Sequence, residues 1–139
     1  MYQEHMFEHL RRVVRAAHEQ RTPEEQKMIA AAAVRQMLDR FCSDWHAIMT
    51  GIEREEWLAS ADTVIDRHSH QMTDLSNDLF GMLEDDLIGD IRALSAEMIK
   101  TANILHMLGS PEEFRVRGAE LARRAKALSM KLEAELPLP

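Results

Sequence analysis

The chain has 139 residues, of which 45 % are hydrophobic and 29 % charged, with five Gly, four Pro and a single Cys. That length suits one domain with a real core. The lone Cys42 excludes an intramolecular disulfide and a Cys-rich zinc knot, and fits a reducing compartment. The net charge of −7 is uneven: residues 53–90 hold eleven acidic and two basic side chains, whereas residues 91–139 hold six acidic and eight basic. An acidic middle and a mildly basic tail could attract one another between protomers, or the middle could receive a basic partner protein.

Few Gly and Pro, and many residues that lose little rotamer freedom in a helix, indicate an all-α fold. The expectation is a single domain over residues 1–139, a bundle of about five helices. The first residues lack the basic region and apolar core of a signal peptide. The longest apolar run, Met28 to Val34, is far short of a membrane span. A cytoplasmic protein with no membrane partner is therefore expected.

In chain order, Met6, Leu10, Val13 and Ala17, with Phe7 and Val14 beside them, mark a first helix from about Tyr2 to Gln20. Thr22-Pro23-Glu24-Glu25 then supplies an N-cap hydroxyl, a Pro where its missing N–H costs nothing, and a Glu able to reach back to the cap. A second helix follows through Val34, Met37 or Leu38, Phe41, Trp45 and Ile48 to about Met49, and Gly51 allows the chain to reverse. Thr50 and Glu53 form a second capping box. Trp45 and Trp57 are placed to pack together across this turn.

The third helix is the central one. Leu58, Ala61, Ile65, His68, Met72, Leu75, Leu79 and Met82 draw one apolar stripe from Trp57 to Met82. Its opposite face carries Asp62, Asp66, Ser69, His70, Thr73, Asp74 and Asn77, which suit water, a cation or a basic partner. Gly81 is read as interior and Gly89 as nearer a terminus, so the helix is expected to end between Glu84 and Leu87. A helix of roughly 30 residues is about 45 Å long. It would form a long antiparallel hairpin with the second helix and leave part of its stripe for another subunit, which points to a homodimer.

Asp90 is read as the cap of a fourth helix, in which Ile91, Leu94, Met98, Ala102 or Thr101, and Leu105 share a face until Gly109. Ser110-Pro111-Glu112-Glu113 repeats the start signal. A fifth helix then carries Phe114, Gly118, Leu121, Ala125, Leu128 and Leu132 on one side and stops at Pro137.

Two constellations bear on chemistry. Asp62, Asp66, His70, Asp74 and Asp78 recur every fourth residue, so neighbours in the series can share a divalent metal ion, with Asp66, His70 and Asp74 as the candidate ligands. His5 and His9 have the same spacing. No His has a Glu three residues before it, which excludes the ferritin-like di-iron pattern. His68, on the apolar stripe, and His106 are expected to be buried rather than ligating.

The second constellation is His18-Glu19-Gln20-Arg21-Thr22-Pro23, which resembles the H-box of sensor histidine kinases over six residues. There the His of a His-Glu-x-Arg-Thr-Pro string accepts a phosphoryl group inside a helical-hairpin dimer. The resemblance implies His18 as phosphoacceptor and Glu19 as its acid-base neighbour. The chain departs from that family at Glu24 and Glu25, where an apolar residue usually follows the Pro. It also has no Gly-rich and Asn-containing boxes for ATP, so no autokinase activity is implied. The apolar stripe is blank from His18 to Lys27, which suits a turn there.

Phosphate-cradling Gly-rich strings and a Gly-x-Ser-x-Gly elbow do not occur. The basic residues of the fifth helix, Arg115, Arg117, Arg123, Arg124 and Lys126, do not share one face and are nearly cancelled by its glutamates, which argues against nucleic acid. Cys42, beside Leu38, Phe41 and Trp45, and the ten Met read as packing residues. The leading expectation is a non-enzymatic protein-protein interaction module, an adaptor, accessory subunit or regulator, presenting an acidic helical surface. The alternative is a histidine phosphotransfer or metal-binding bundle using His18, or Asp66, His70 and Asp74.

Overall fold

A computed structural model describes residues 2–50, 57–108 and 111–134, and of residues 2–5, 57–59, 105, 106, 108, 111 and 114 the backbone only. Five helices follow in order among the described residues: α1 (Tyr2–Gln20), α2 (Pro23–Thr50), α3 (Trp57–Asp78), α4 (Asp85–Leu108) and α5 (Pro111–Ala134). The fold is an all-α bundle, as composition and periodicity required.

Helices α2, α3, α4 and α5 close a ring in chain order, each packed on the next and α5 back on α2, while among the described residues α1 lies against α2 and α3 only. Neighbours in the ring are antiparallel. Phe41 of α2 meets His68 of α3, Thr73 of α3 meets Ser95 of α4, Glu97 of α4 meets Arg124 of α5, and Arg35 of α2 meets Glu133 of α5. The expected α2–α3 hairpin is present, but α3 with α4 and α2 with α5 are the more extensive pairings.

Local signals account for most helix ends. At the start of α2 the capping box is complete: the Glu25 N–H donates to Thr22 Oγ1 at 3.2 Å, and the Thr22 N–H donates back to Glu25 Oε1 at 3.4 Å. The Thr22 hydroxyl, which donates to Glu25 Oε1 at 3.0 Å, and next the Thr22 N–H hold the Glu25 carboxyl below its usual range. Of the box expected at Thr50 and Glu53, Thr50 is the last residue of α2 with its hydroxyl donating to the Ala47 carbonyl at 2.8 Å. Glu53 lies outside the described residues, as do the reversal at Gly51, the Trp57 ring, the Gly109 terminus, the Ser110 cap and Pro137.

The end of α3 differs from expectation. It stops at Asp78, not between Glu84 and Leu87, and α4 begins at Asp85 rather than at Asp90. Gly81 makes the turn with φ of 82°, whereas Gly89 lies inside α4. The apolar pattern concealed this break because Leu79, Met82 and Leu83 stay buried through the turn. Glu84 acts as the cap position, its carbonyl accepting from the Leu87 and Ile88 N–H groups at 3.0 and 3.1 Å. Accordingly α3 has 22 residues rather than about 30, and α4 with 24 is longer than α3.

The core explains the choice of faces. Helix α2 touches α1, α3 and α5, so an unusually wide arc is buried, including Ala30, Ala31, Ala33, Val34 and both Met37 and Leu38. In α1 the buried set is Phe7, Leu10, Val14 and Ala17, and Val13 is exposed; the face is turned by one position from the one expected. The α3 stripe, Ala61, Ile65, His68, Met72, Leu75, Leu79 and Met82, is covered within one chain, none of it more than 4 % exposed. This removes the argument that part of the stripe waits for another subunit. Each fully buried side chain of the size of Ile65 or Leu75 contributes about 1.5–3 kcal/mol.

The helical period places Ser69 on the water face, but it is fully buried. Its carbonyl accepts from Ser95 Oγ at 2.9 Å, and the Ser95 and Thr73 hydroxyls lie 2.6 Å apart. Small hydroxyl residues at Ser69, Ser76 and Ser95, all buried, let α3 and α4 approach closely while their polar atoms stay paired.

Candidate functional site

The outer face of α3 is the strongest candidate for a functional surface, and a buried polar cluster beneath it fixes its orientation. Helix α3 presents its stripe to the ring, so residues a half-turn away must face outward. Asp66, His70 and Asp74 are exposed there. Asp66 Oδ1 and His70 Nε2 lie 3.3 Å apart, both side chains more than three-fifths exposed. Asp74 contributes to the field at Arg11 of α1, and Asp78 accepts from Arg11 Nε at 2.8 Å and Arg15 Nε at 3.4 Å. The series of carboxylates is therefore divided: Asp78 serves the docking of α1, and Asp66 and Asp74 face solvent. Among the described residues no group of three or more His, Cys, Asp or Glu side chains is gathered for a metal ion.

The buried cluster joins α2 to α3. His68 is fully enclosed, and its Nε2 lies 2.8 Å from Asp44 Oδ2; Arg67 Nη2 donates to the same oxygen at 3.2 Å. A carboxylate only accepts, so the neutral ring carries its proton on Nε2. Its Nδ1 has no partner among the described residues. Burial pushes the His68 pKa down; the bond to Asp44 opposes this, and Arg67 and Arg40 add to it. Phe41 meets the imidazole edge-on with centroids 5.3 Å apart. A histidine-carboxylate pair is the usual beginning of a general base, but this ring has no exposed surface for a substrate to reach. The cluster locks two helices together.

His68 thus occupies the position its place on the stripe implied. Its partner on α2 is legible only in Asp44 itself, a carboxylate between the core residues Phe41 and Trp45.

His18 and Glu19 lie at the exposed end of α1, and the His18 carbonyl accepts from Gln26 Nε2 at 3.1 Å. The backbone breaks at Arg21 and Thr22 between α1 and α2, where the H-box resemblance implies one helix running through the Pro. The blank stretch of stripe fits that break. His9 is exposed, and the side chains of His5 and His106 lie outside the described residues. Cys42 is half-buried, with its Sγ 3.9 Å from the Ala122 carbonyl, and burial pushes the thiol pKa up.

Of the six basic residues of α5, five are engaged on the helix or its neighbour: Arg115 with Glu112, Arg117 with Glu113, Arg123 with Glu120, Arg124 with Glu97, and Lys131 with Asp90. No described helix is long and apolar enough to cross a membrane. No protein-family model, curated protein or solved structure matches the chain.

Proposed function

We propose that this chain is a non-enzymatic protein-protein interaction module whose acidic α3 face receives a basic partner. The observation that supports it most is the charge balance of α3 itself, whose residues 57–78 hold four carboxylates and one guanidinium. That guanidinium, Arg67, is turned onto Asp44. Asp66, beside His70, and Asp74, within the field of Arg11, project from the helix into solvent, and a field of one sign on a rigid face steers oppositely charged partners.

The test is binding of a fluorescent Lys/Arg-rich amphipathic helical peptide, with an acidic peptide of the same length as control. Binding to the basic peptide alone, weakened by salt and by D66N combined with D74N, supports the reading. Equal binding of both peptides, or no effect of the double substitution, rejects it.

A second reading is divalent metal binding by Asp66 and His70, which rests on their 3.3 Å approach one helical turn apart. Stoichiometric zinc in protein purified without an affinity tag supports it, provided His70→Ala removes the metal. Metal content unchanged in that variant counts against it.

A further inference from the structure

Helix α1 covers the outer groove between α2 and α3, and the opposite edge of the ring is the groove between α4 and α5, which α1 does not touch. Its floor is formed by buried apolar side chains, Leu94, Leu121 and Leu128. Two hollows of about 240 and 300 Å³ lie along it and meet at Arg124. Val116, 70 % exposed, stands on the rim of one of them. We propose that a second copy of this chain packs here, the two α5 helices running antiparallel about a two-fold axis at the level of Ala122.

The residues of α5 that border the hollows carry the argument. A two-fold interface requires that if one residue meets another across the axis, the second also meets the first, so contact positions must be arranged symmetrically about one point of the helix. On α5 they are. Glu113 and Lys131 are equally distant from Ala122, as are Glu120 and Arg124, and so are Val116 and Leu128. The two charged pairs set an acid against a base, and the third sets the exposed valine against an apolar floor. The remaining mirrored positions place Arg117 by Ala127 and Arg123 by Leu121. The groove is therefore complementary to itself in one register. Each of these charges now bonds within its own chain: Glu113 with Arg117, Glu120 with Arg123, Arg124 with Glu97, Lys131 with Asp90. The pairs of Glu120 and Lys131 are exposed and weak in water, whereas those of Glu113 and Arg124 are half-buried, and all four must exchange partners when a second set of charges arrives.

This assembly goes beyond the acidic-face reading and does not depend on it. In the ring α3 lies diagonal to α5, with no contact between them, so Asp66 and Asp74 stay outside the interface. Peptide binding can fail while the dimer holds, and the reverse.

Sedimentation equilibrium on the full chain tests the proposal. The expected species is a dimer of twice 16.0 kDa. E120R and R124E alone each place like charges across the axis and are expected to weaken dimerisation on the order of tenfold or more. The double variant E120R/R124E restores opposite charges on both sides and is expected to dimerise like the parent. Val116→Gln, which leaves every charge in place, weakens it as well. Circular dichroism of each variant establishes that the helices persist. A monomer at all concentrations overturns the proposal. So does a dimer indifferent to the single reversals, or one that the double swap fails to rescue.

Discussion

His68 Nε2 on α3 lies 2.8 Å from Asp44 Oδ2 on α2, and this hydrogen bond pairs one nitrogen of a ring that is wholly enclosed. The native protein holds the imidazole neutral, because burial outweighs the pull of Asp44 and Arg67 and Arg40 push the same way. The unfolded chain takes up a proton near pH 6.5. The unfolded state therefore binds more protons as pH falls below that value, and stability falls with it. Urea midpoints measured from about pH 7.5 to pH 5.5 are expected to drop more steeply for the parent than for His68→Gln, the carboxylates being common to both. Parallel curves would show that His68 does not couple folding to pH.

Trp45 and Gly118 set the distance between α2 and α5. The Trp45 indole, stacked on Phe41 with centroids 5.8 Å apart, occupies the space that a Cβ at position 118 would need. Gly118→Ala gains about 1 kcal/mol of helix propensity, but forcing a methyl group into a packed ring costs about 1–3 kcal/mol or more. Net destabilisation is expected in a thermal melt. Trp45→Phe, which shortens the obstructing ring, should make Gly118→Ala less harmful, so that the double variant is more stable than the two single effects added together. A stabilised Gly118→Ala would mean that the two helices separate at little cost.

Asp78 ties α1 to the end of α3 through Arg11 and Arg15. The carboxylate is 11 % exposed and Arg11 only 20 %, so the bond is sheltered enough to matter. Asp78→Asn leaves Arg11 poorly paired. Amide hydrogen exchange in α1 is expected to quicken by on the order of tenfold, with α4 and α5 unaffected, because α1 contacts neither. Uniform acceleration throughout the chain would contradict a local role.

Thr22 caps α2 with both its hydroxyl and its N–H. Thr22→Ala removes the hydroxyl acceptor and is expected to cost about 1 kcal/mol, read as a lower melting temperature with unchanged helical content. Thr22→Ser retains the acceptor and should restore most of the loss. Equal losses in the two variants would place the effect elsewhere than in the cap.

Legibility followed the range of the forces involved. The Thr22-Pro23-Glu24-Glu25 start was readable because every atom of the cap lies within four residues. The buried faces of α3 and α5 were readable because one helical period repeats through them. Gly81 and Gly89 could not be told apart in the same way: each is compatible with either role, and Leu79 and Met82 keep the apolar rhythm through a turn that is not helical. The α3 face with Asp66, His70 and Asp74 was visible as a pattern, but nothing local showed that Asp78 is taken by two arginines of α1.

By itself the sequence determined that this chain is helical, where α1, α2 and α5 begin, and which side of α3 and α5 is apolar, since caps and periodicity act over a few residues. Only the tertiary structure decided the closed ring of α2 to α5 with α1 on one edge, the burial of Ser69, and the meeting of His68 with Asp44. Those depend on residues far apart in the chain, and their contacts arise when helices of particular lengths pack around one core, which no short stretch of sequence specifies.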